Sequence, residues 1–117
     1  MDKLTNFFKI LSDETRFRIV SLLFQKELCV CEICGILDLS QPKVSKHLAK
    51  LRDMGFVKDE RKEQFIFYRL NISDEILLNL VKSINENIAD YEVLQCDSNR
   101  LKDKDIYLSQ CKIQLSV

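Results

Sequence analysis

The chain predicts a mainly helical fold with one short β-hairpin, and three observations carry that prediction. Apolar residues recur mostly at helical spacing, and only two glycines and one proline interrupt 117 residues. A single stretch, "FVKDERKEQFIFYRL", concentrates aromatic and β-branched residues on both sides of a polar centre, which reads as two strands joined by a tip.

The elements follow in order. Leu4, Phe7, Phe8 and Leu11 form one stripe of a short first helix, at about residues 3–11. In "LSDETRFRIVSLLFQ", Ser12 is the predicted N-cap of a second helix, with Asp13 and Glu14 in its first turn, where carboxylates favour the positive end of the helix dipole. Phe17, Val20, Leu23 and Phe24 make its predicted buried face, and the helix ends near Gln25. Residues 30–38 make a short third helix. A fourth starts at a Ser40 or Gln41 cap, tolerates Pro42 in its first turn and stops at Gly55.

In the fourth helix Val44, Leu48 and Leu51 share one face, which places Lys43, Lys46 and Lys50 on the opposite, outward side. Two short helices joined by the tight "DLS" connection, the second with a basic outer face, form the pattern of a helix-turn-helix. The hairpin tip is expected at residues 61–64 with Arg61 and Lys62 on it, and it lacks the Asn-Gly or Asp-Gly pair of the tightest turns. Ser73 is the predicted cap of a long final helix whose stripe is Leu77, Leu80, Val81, Ile84, Ile88 and Tyr91. A helix of that length beside so small a domain is expected to pack against a second copy. Residues 1–94 therefore read as a DNA-binding and dimerisation domain and residues 95–117 as a C-terminal tail, whose end "CKIQLSV" alternates like a half-buried strand.

Composition narrows the function. The 46% of hydrophobic residues suffices for one modest core, no apolar run is long enough to span a bilayer, and "MDKLTNFFKI" lacks the pattern of a secretory signal. A cytoplasmic protein is expected. Its five cysteines then read as free thiols or metal ligands and not as a disulfide framework. The net charge of zero hides an asymmetry: residues 1–40 carry five basic and six acidic side chains, residues 41–70 eight and four, residues 71–117 five and eight. A locally basic segment in a neutral chain points to a positioned contact with a polyanion.

"LSDETRFRIVSLL", "ELCVCEIC", "LSQPKVSKHLAKLRDMGFV" and "YRL" resemble, in order and spacing, the ArsR/SmtB family of winged-helix metalloregulatory repressors, over about residues 4–94. "ELCVCEIC" followed by "SQPKVSKHL" is most similar to the arsenic-responsive repressors of arsenical-resistance operons. The resemblance implies a homodimer built on the first and last helices, with the fourth helix in the major groove of double-stranded operator DNA. It assigns DNA contacts to Gln41, Lys43, Ser45, Lys46 and His47 of that helix, with Lys50 on the same basic face, and to Arg61, Lys62 and Gln64 of the wing. Lysines and arginines would neutralise phosphates, while Gln41, Ser45 and His47 have the chemistry to bond base edges. The bland alternative for His47 is packing at the edge of the core.

The cysteines Cys29, Cys31 and Cys34 are the candidate ligands of an inducer. "Cys29-Val30-Cys31-Glu32" fits a capping-box frame with a cysteine at the hydroxyl position, which puts Cys29 at or just before the third helix. Cys31 and Cys34 share one helical face, whereas Cys29 continued helically falls roughly 140° around from Cys34. All three meet only if the first turn is irregular or unwinds. A helix N-terminus is expected to ease their ionisation. Three sulfurs without a fourth ligand suit As(III) or Sb(III), as the resemblance also implies, better than tetrahedral zinc, and the sole histidine, His47, lies in the DNA-reading helix. Cadmium- and lead-sensing relatives add thiols from an N-terminal extension, and residues 1–28 hold none. Cys96 and Cys111 are isolated, with a second thiol site the less favoured reading.

Two rivals stand beside a metalloid-responsive repressor. A redox sensor would keep DNA binding and use cysteine oxidation as its signal. A thiol enzyme is disfavoured because the sequence gives no Cys-x-x-Cys at a strand-to-helix junction, no adjacent acid or base partner and no anion-binding glycine loop.

Overall fold

The computed structural model describes residues 2–108. Helices α1 (Asp2–Leu11) and α2 (Glu14–Gln25) lead into a two-residue strand β1 (Leu28–Cys29), then α3 (Val30–Leu37), α4 (Gln41–Asp53), the hairpin β2 (Val57–Lys62) and β3 (Phe65–Leu70), and α5 (Glu75–Glu86). A 3-10 turn at Ile88–Asp90 separates α5 from α6 (Glu92–Leu101). The strands form one antiparallel sheet in the order β1-β3-β2. This is a winged helix-turn-helix.

α2 is the central element, touching α1, α4, α5, α6 and β3. That position explains why its buried residues are Ile19, Val20, Ser21, Leu22 and Leu23 and not the single predicted stripe. Phe17 and Phe24 are only half-buried, because a helix surrounded on several sides has no one apolar face. Its cap is Asp13, whose carboxylate accepts the Arg16 N–H at 3.0 Å, while the Ser12 hydroxyl donates back to the Lys9 carbonyl and closes α1. The predicted Ser12 cap is thus displaced by one residue. A carboxylate at that position adds charge to the same bond, and its pKa is lowered accordingly, first by the Arg16 N–H.

α4 matches its prediction closely. Ser40 stands at the N-cap, Pro42 lies in the first turn, and Val44, Leu48 and Leu51 are fully buried. Gly55 takes φ +82°, the left-handed conformation in which a side chain would be strained. The hairpin tip is tighter than expected: Arg61 and Lys62 belong to β2, which leaves Glu63, at φ 59°, and Gln64 as the connection.

The predicted long last helix is interrupted. Asp74, not Ser73, caps α5, accepting from the N–H groups of Ile76 and Leu77 at 2.9 and 3.3 Å. The helix then breaks after Glu86. Leu77 and Val81 enter the core, while Ile76, Leu78, Leu80 and Tyr91 remain exposed. α6 runs straight through position 94 and packs back on α2 and α3. Its Asp97 accepts two hydrogen bonds from Arg18, both 2.8 Å, and Ser98 donates to Gln25, which itself donates to Asn85 of α5. Arg100 donates to the Gly35 carbonyl at 2.8 Å, and the Tyr107 ring lies so close to Gly35 that only a residue without Cβ fits there. The half-buried strand predicted near Cys111 lies outside the described residues. Among those described, no helix is long and apolar enough to cross a membrane.

Candidate nucleic-acid interface and thiol site

Helix α4 presents its predicted contacts to solvent. Lys43, Lys46 and Lys50 are exposed, as their angular positions away from Val44, Leu48 and Leu51 require, Gln41 is exposed at the first position of the helix, and Ser45, at the edge of the buried face, is half-buried. His47 is different: its side chain is only 15% exposed and Nδ1 lies 4.0 Å from the Asp13 carboxylate. Burial and then the nearby cations Arg16, Lys43 and Lys46 lower its pKa against the opposing pull of Asp13, so the imidazole is neutral at pH 7. It packs between α2 and α4 and contributes no standing charge.

On the wing, Arg61 and Gln64 are exposed. Lys62 is also exposed but paired within the chain, donating to Glu27 at 2.8 Å and lying 5.2 Å above the Phe67 ring. That pair raises the Lys62 pKa and offsets its charge locally. Arg52 and Arg69 are likewise drawn to Asp59 and Glu60. Without an ion-pair partner among the described residues of this region are Lys43, Lys46 and Lys50 on α4 and Lys58 and Arg61 on the wing.

The thiols sit one element earlier. Cys29 ends β1 and N-caps α3, the Glu32 carboxylate accepts its N–H at 2.9 Å, and the reciprocal half of the capping box is present. Glu32 is 1% exposed, with Lys104 Nζ 3.6 Å away as its counter-ion. Cys29 faces Phe67 of β3 in the sheet register. A cavity of about 190 Å³ is lined by Cys29, Val30, Cys31, Gln41, Gln64 and Ile66 among others, so the first thiols, the tip of the recognition helix and the tip of the wing share one space. Sequence periodicity missed β1, whose two residues are too few to alternate.

The three cysteines are not assembled. No group of three His, Cys, Asp or Glu side chains among the described residues is placed to hold a metal ion, and Cys34 lies outside the cavity that Cys29 and Cys31 line. Cys29, Cys34 and Cys96 are free thiols, whereas Cys31 is disulfide-bonded. The expected easy ionisation is also overturned. Burial, with a further push from the Glu32 carboxylate, raises the Cys29 pKa to about 11, and burial raises that of Cys34. Desolvation disfavours a thiolate more than the end of an eight-residue helix favours it, because Glu32 already answers that dipole.

The expected absence of a Cys-x-x-Cys at a strand-to-helix junction is corrected: β1 runs directly into α3, whose Cys31 and Cys34 have that spacing, and the two-residue strand left no pattern in the sequence. The raised pKa of the neighbouring thiols is opposite to what a nucleophilic enzyme requires.

A winged helix-turn-helix with an outward basic recognition helix defines a class of DNA-binding regulators. Residues 13–59, which run from the cap of α2 into the wing, match the model of the bacterial regulatory protein arsR family. The arsenical resistance operon repressor of Escherichia coli is 54% identical over 65 residues, covering 55% of this chain and 56% of that protein. The cadmium resistance transcriptional regulatory protein CadC of Listeria innocua is 38% identical over 86 residues, covering 72% of each. Among solved structures, reduced HlyU from Vibrio cholerae superposes with a TM-score of 0.67 at 30% identity, covering 73% of this chain and 87% of that one. The chain belongs to the ArsR family. Its matches to the arsenic-resistance regulators span just over half of their length.

Proposed function

We propose that the chain is a cytoplasmic transcriptional repressor that binds operator DNA as a homodimer and lets go when As(III) or Sb(III) is captured by Cys29, Cys31 and Cys34. The observation that carries the reading is the placement of Cys29. It is at once a thiol, the cap of α3, a sheet partner of the wing strand and a wall of the cavity shared with Gln41 and Gln64. Drawing Cys29 toward Cys34 breaks the Glu32 bond and unwinds the first turn of α3. Both DNA-facing elements then move, because each is joined to that turn. The inducer acts as a switch because it binds the unwound, DNA-incompetent arrangement better than the helical one.

The chemistry balances without ionised thiols. Uncharged arsenous acid condenses with three reduced cysteines, forming three As–S bonds and releasing three waters, each thiol proton leaving with a hydroxide. The DNA contacts in this reading are Gln41, Lys43, Ser45, Lys46, Lys50, Arg61 and Gln64, with His47 and Lys62 serving chiefly to hold the interface in shape. The homodimer forms on α1 and the α5–α6 segment, where Phe8, Tyr91 and Val93 are exposed beside an apolar groove of about 520 Å³ that includes Leu11, Phe17 and Ile84.

The disulfide at Cys31 favours a second reading, in which oxidation is the signal. One experiment separates the two. Fluorescence anisotropy of fully reduced protein on a labelled duplex from its own upstream region is titrated with arsenite, and in parallel with peroxide. Release by arsenite from the wild type but not from Cys34→Ser is the expected result. Release by peroxide alone would replace the metalloid reading with the redox one.

A further inference from the structure

We propose that Arg16, on α2 and outside the helix-turn-helix pair, forms with Lys46 and Lys50 a cleft that holds a backbone phosphate of the bound DNA. The proposal rests on the DNA-binding reading and adds to it a contact from a third element. The cleft has a volume of about 450 Å³ and is lined by Arg16, Lys46, His47, Ala49, Lys50 and Asp53.

Three features single it out. Arg16 is pre-positioned: its Nε donates to the Ile10 carbonyl at 3.1 Å, which fixes the plane of the guanidinium, and its Nη nitrogens carry no hydrogen bond among the described residues. Lys46 and Lys50 lie one turn apart on the outward face of α4 and have no ion-pair partner among the described residues, in contrast to Lys62, Arg52 and Arg69. Lys43 lies one turn from Lys46 on the same outward side of α4, so an anion held between Arg16, Lys46 and Lys50 lies on the face of the recognition helix.

The surrounding groups are compatible with this role. His47 lines the cleft without lending it a standing positive charge, so the charge there comes from Arg16, Lys46 and Lys50. The Asp13 carboxylate is occupied in capping α2, and the Asp53 side chain is 74% exposed, so solvent screens its charge. Three cations against these two carboxylates leave the cleft with a net positive charge. A guanidinium held at one edge suits a phosphate oxygen because its planar fork presents two parallel donors. Because the group bound is common to every nucleotide, the contact supplies affinity and register and no sequence preference.

The test measures affinity against salt for reduced wild type, Arg16→Ala and Arg16→Lys, each on the upstream duplex and on a scrambled duplex of equal length. Arg16→Ala is expected to weaken binding by the same factor on both duplexes and to lower the slope of log affinity against log salt by about 0.9, the share of one phosphate. Arg16→Lys removes the Nε bond to Ile10 but retains the charge, and it is expected to keep the wild-type slope. An unchanged slope in Arg16→Ala, a loss confined to the upstream duplex, or an equal slope loss in Arg16→Lys overturns the assignment. A wild type that binds neither duplex overturns the DNA reading itself.

Discussion

Replacing Asp97 with alanine is expected to lower the stability of the fold by about 3 kcal/mol. The Asp97 side chain is 4% exposed and accepts two parallel bonds from Arg18, each 2.8 Å. Removing the carboxylate leaves a partly buried guanidinium, on a side chain 19% exposed, without its partner, and the desolvation already incurred is no longer offset. The residual exposure of Arg18 keeps the estimate at the low end of what breaking a buried pair costs. Urea unfolding read by circular dichroism measures the loss, and a change under about 1 kcal/mol would show that α6 contributes little to α2. Replacing both partners, Arg18→Met with Asp97→Leu, is expected to recover more than half of it, because two apolar side chains of similar size leave no orphaned charge.

The second large effect is a difference in pH dependence between inducers. With the Cys29 pKa at about 11 and that of Cys34 also raised, both thiols are protonated at pH 6–8. A divalent cation such as cadmium must expel those protons to bind, so its affinity is expected to fall about tenfold per thiol, or about a hundredfold for the pair, with each unit of falling pH. Arsenous acid takes up the same protons as water and is expected to bind with nearly constant affinity over that range. Titration calorimetry of reduced protein with each ligand at pH 6, 7 and 8 makes the comparison. A cadmium affinity that does not change with pH would mean that the thiols are already ionised, and the burial of Cys29 would then be open to solvent in solution.

Particular elements show where sequence reasoning reached and where it stopped. Helix α4 was legible because it lies on the surface with one buried side, so its period places both Leu48 in the core and Lys46 in solvent. The α2 pattern was misleading because Ile19 and Leu22 are covered by elements far away in the chain. The capping box of α3 was legible from four consecutive residues, Cys29 to Glu32, since its bonds are local. The high pKa of Cys29 was not, since it is set by desolvation from the surrounding core, to which the helix-end argument is blind.

By itself the sequence determined a helix-turn-helix followed by a wing, a basic outer face on α4, and three thiols at the start of α3 whose spacing prevents them from meeting in a regular helix. These follow from periodicity, capping chemistry and helix geometry, all of which act within a few residues. Only the tertiary structure decided that Cys29 is joined to the wing through β1, that Glu32 is buried under Lys104, that α6 folds back to place Asp97 on Arg18, and that Arg16 stands beside Lys46 and Lys50. Each of these joins residues 30 to 80 positions apart, with Glu32 and Lys104 72 apart, Arg18 and Asp97 79 apart, and Arg16 and Lys46 30 apart. Such contacts depend on how the helices pack around α2, and no local pattern encodes them.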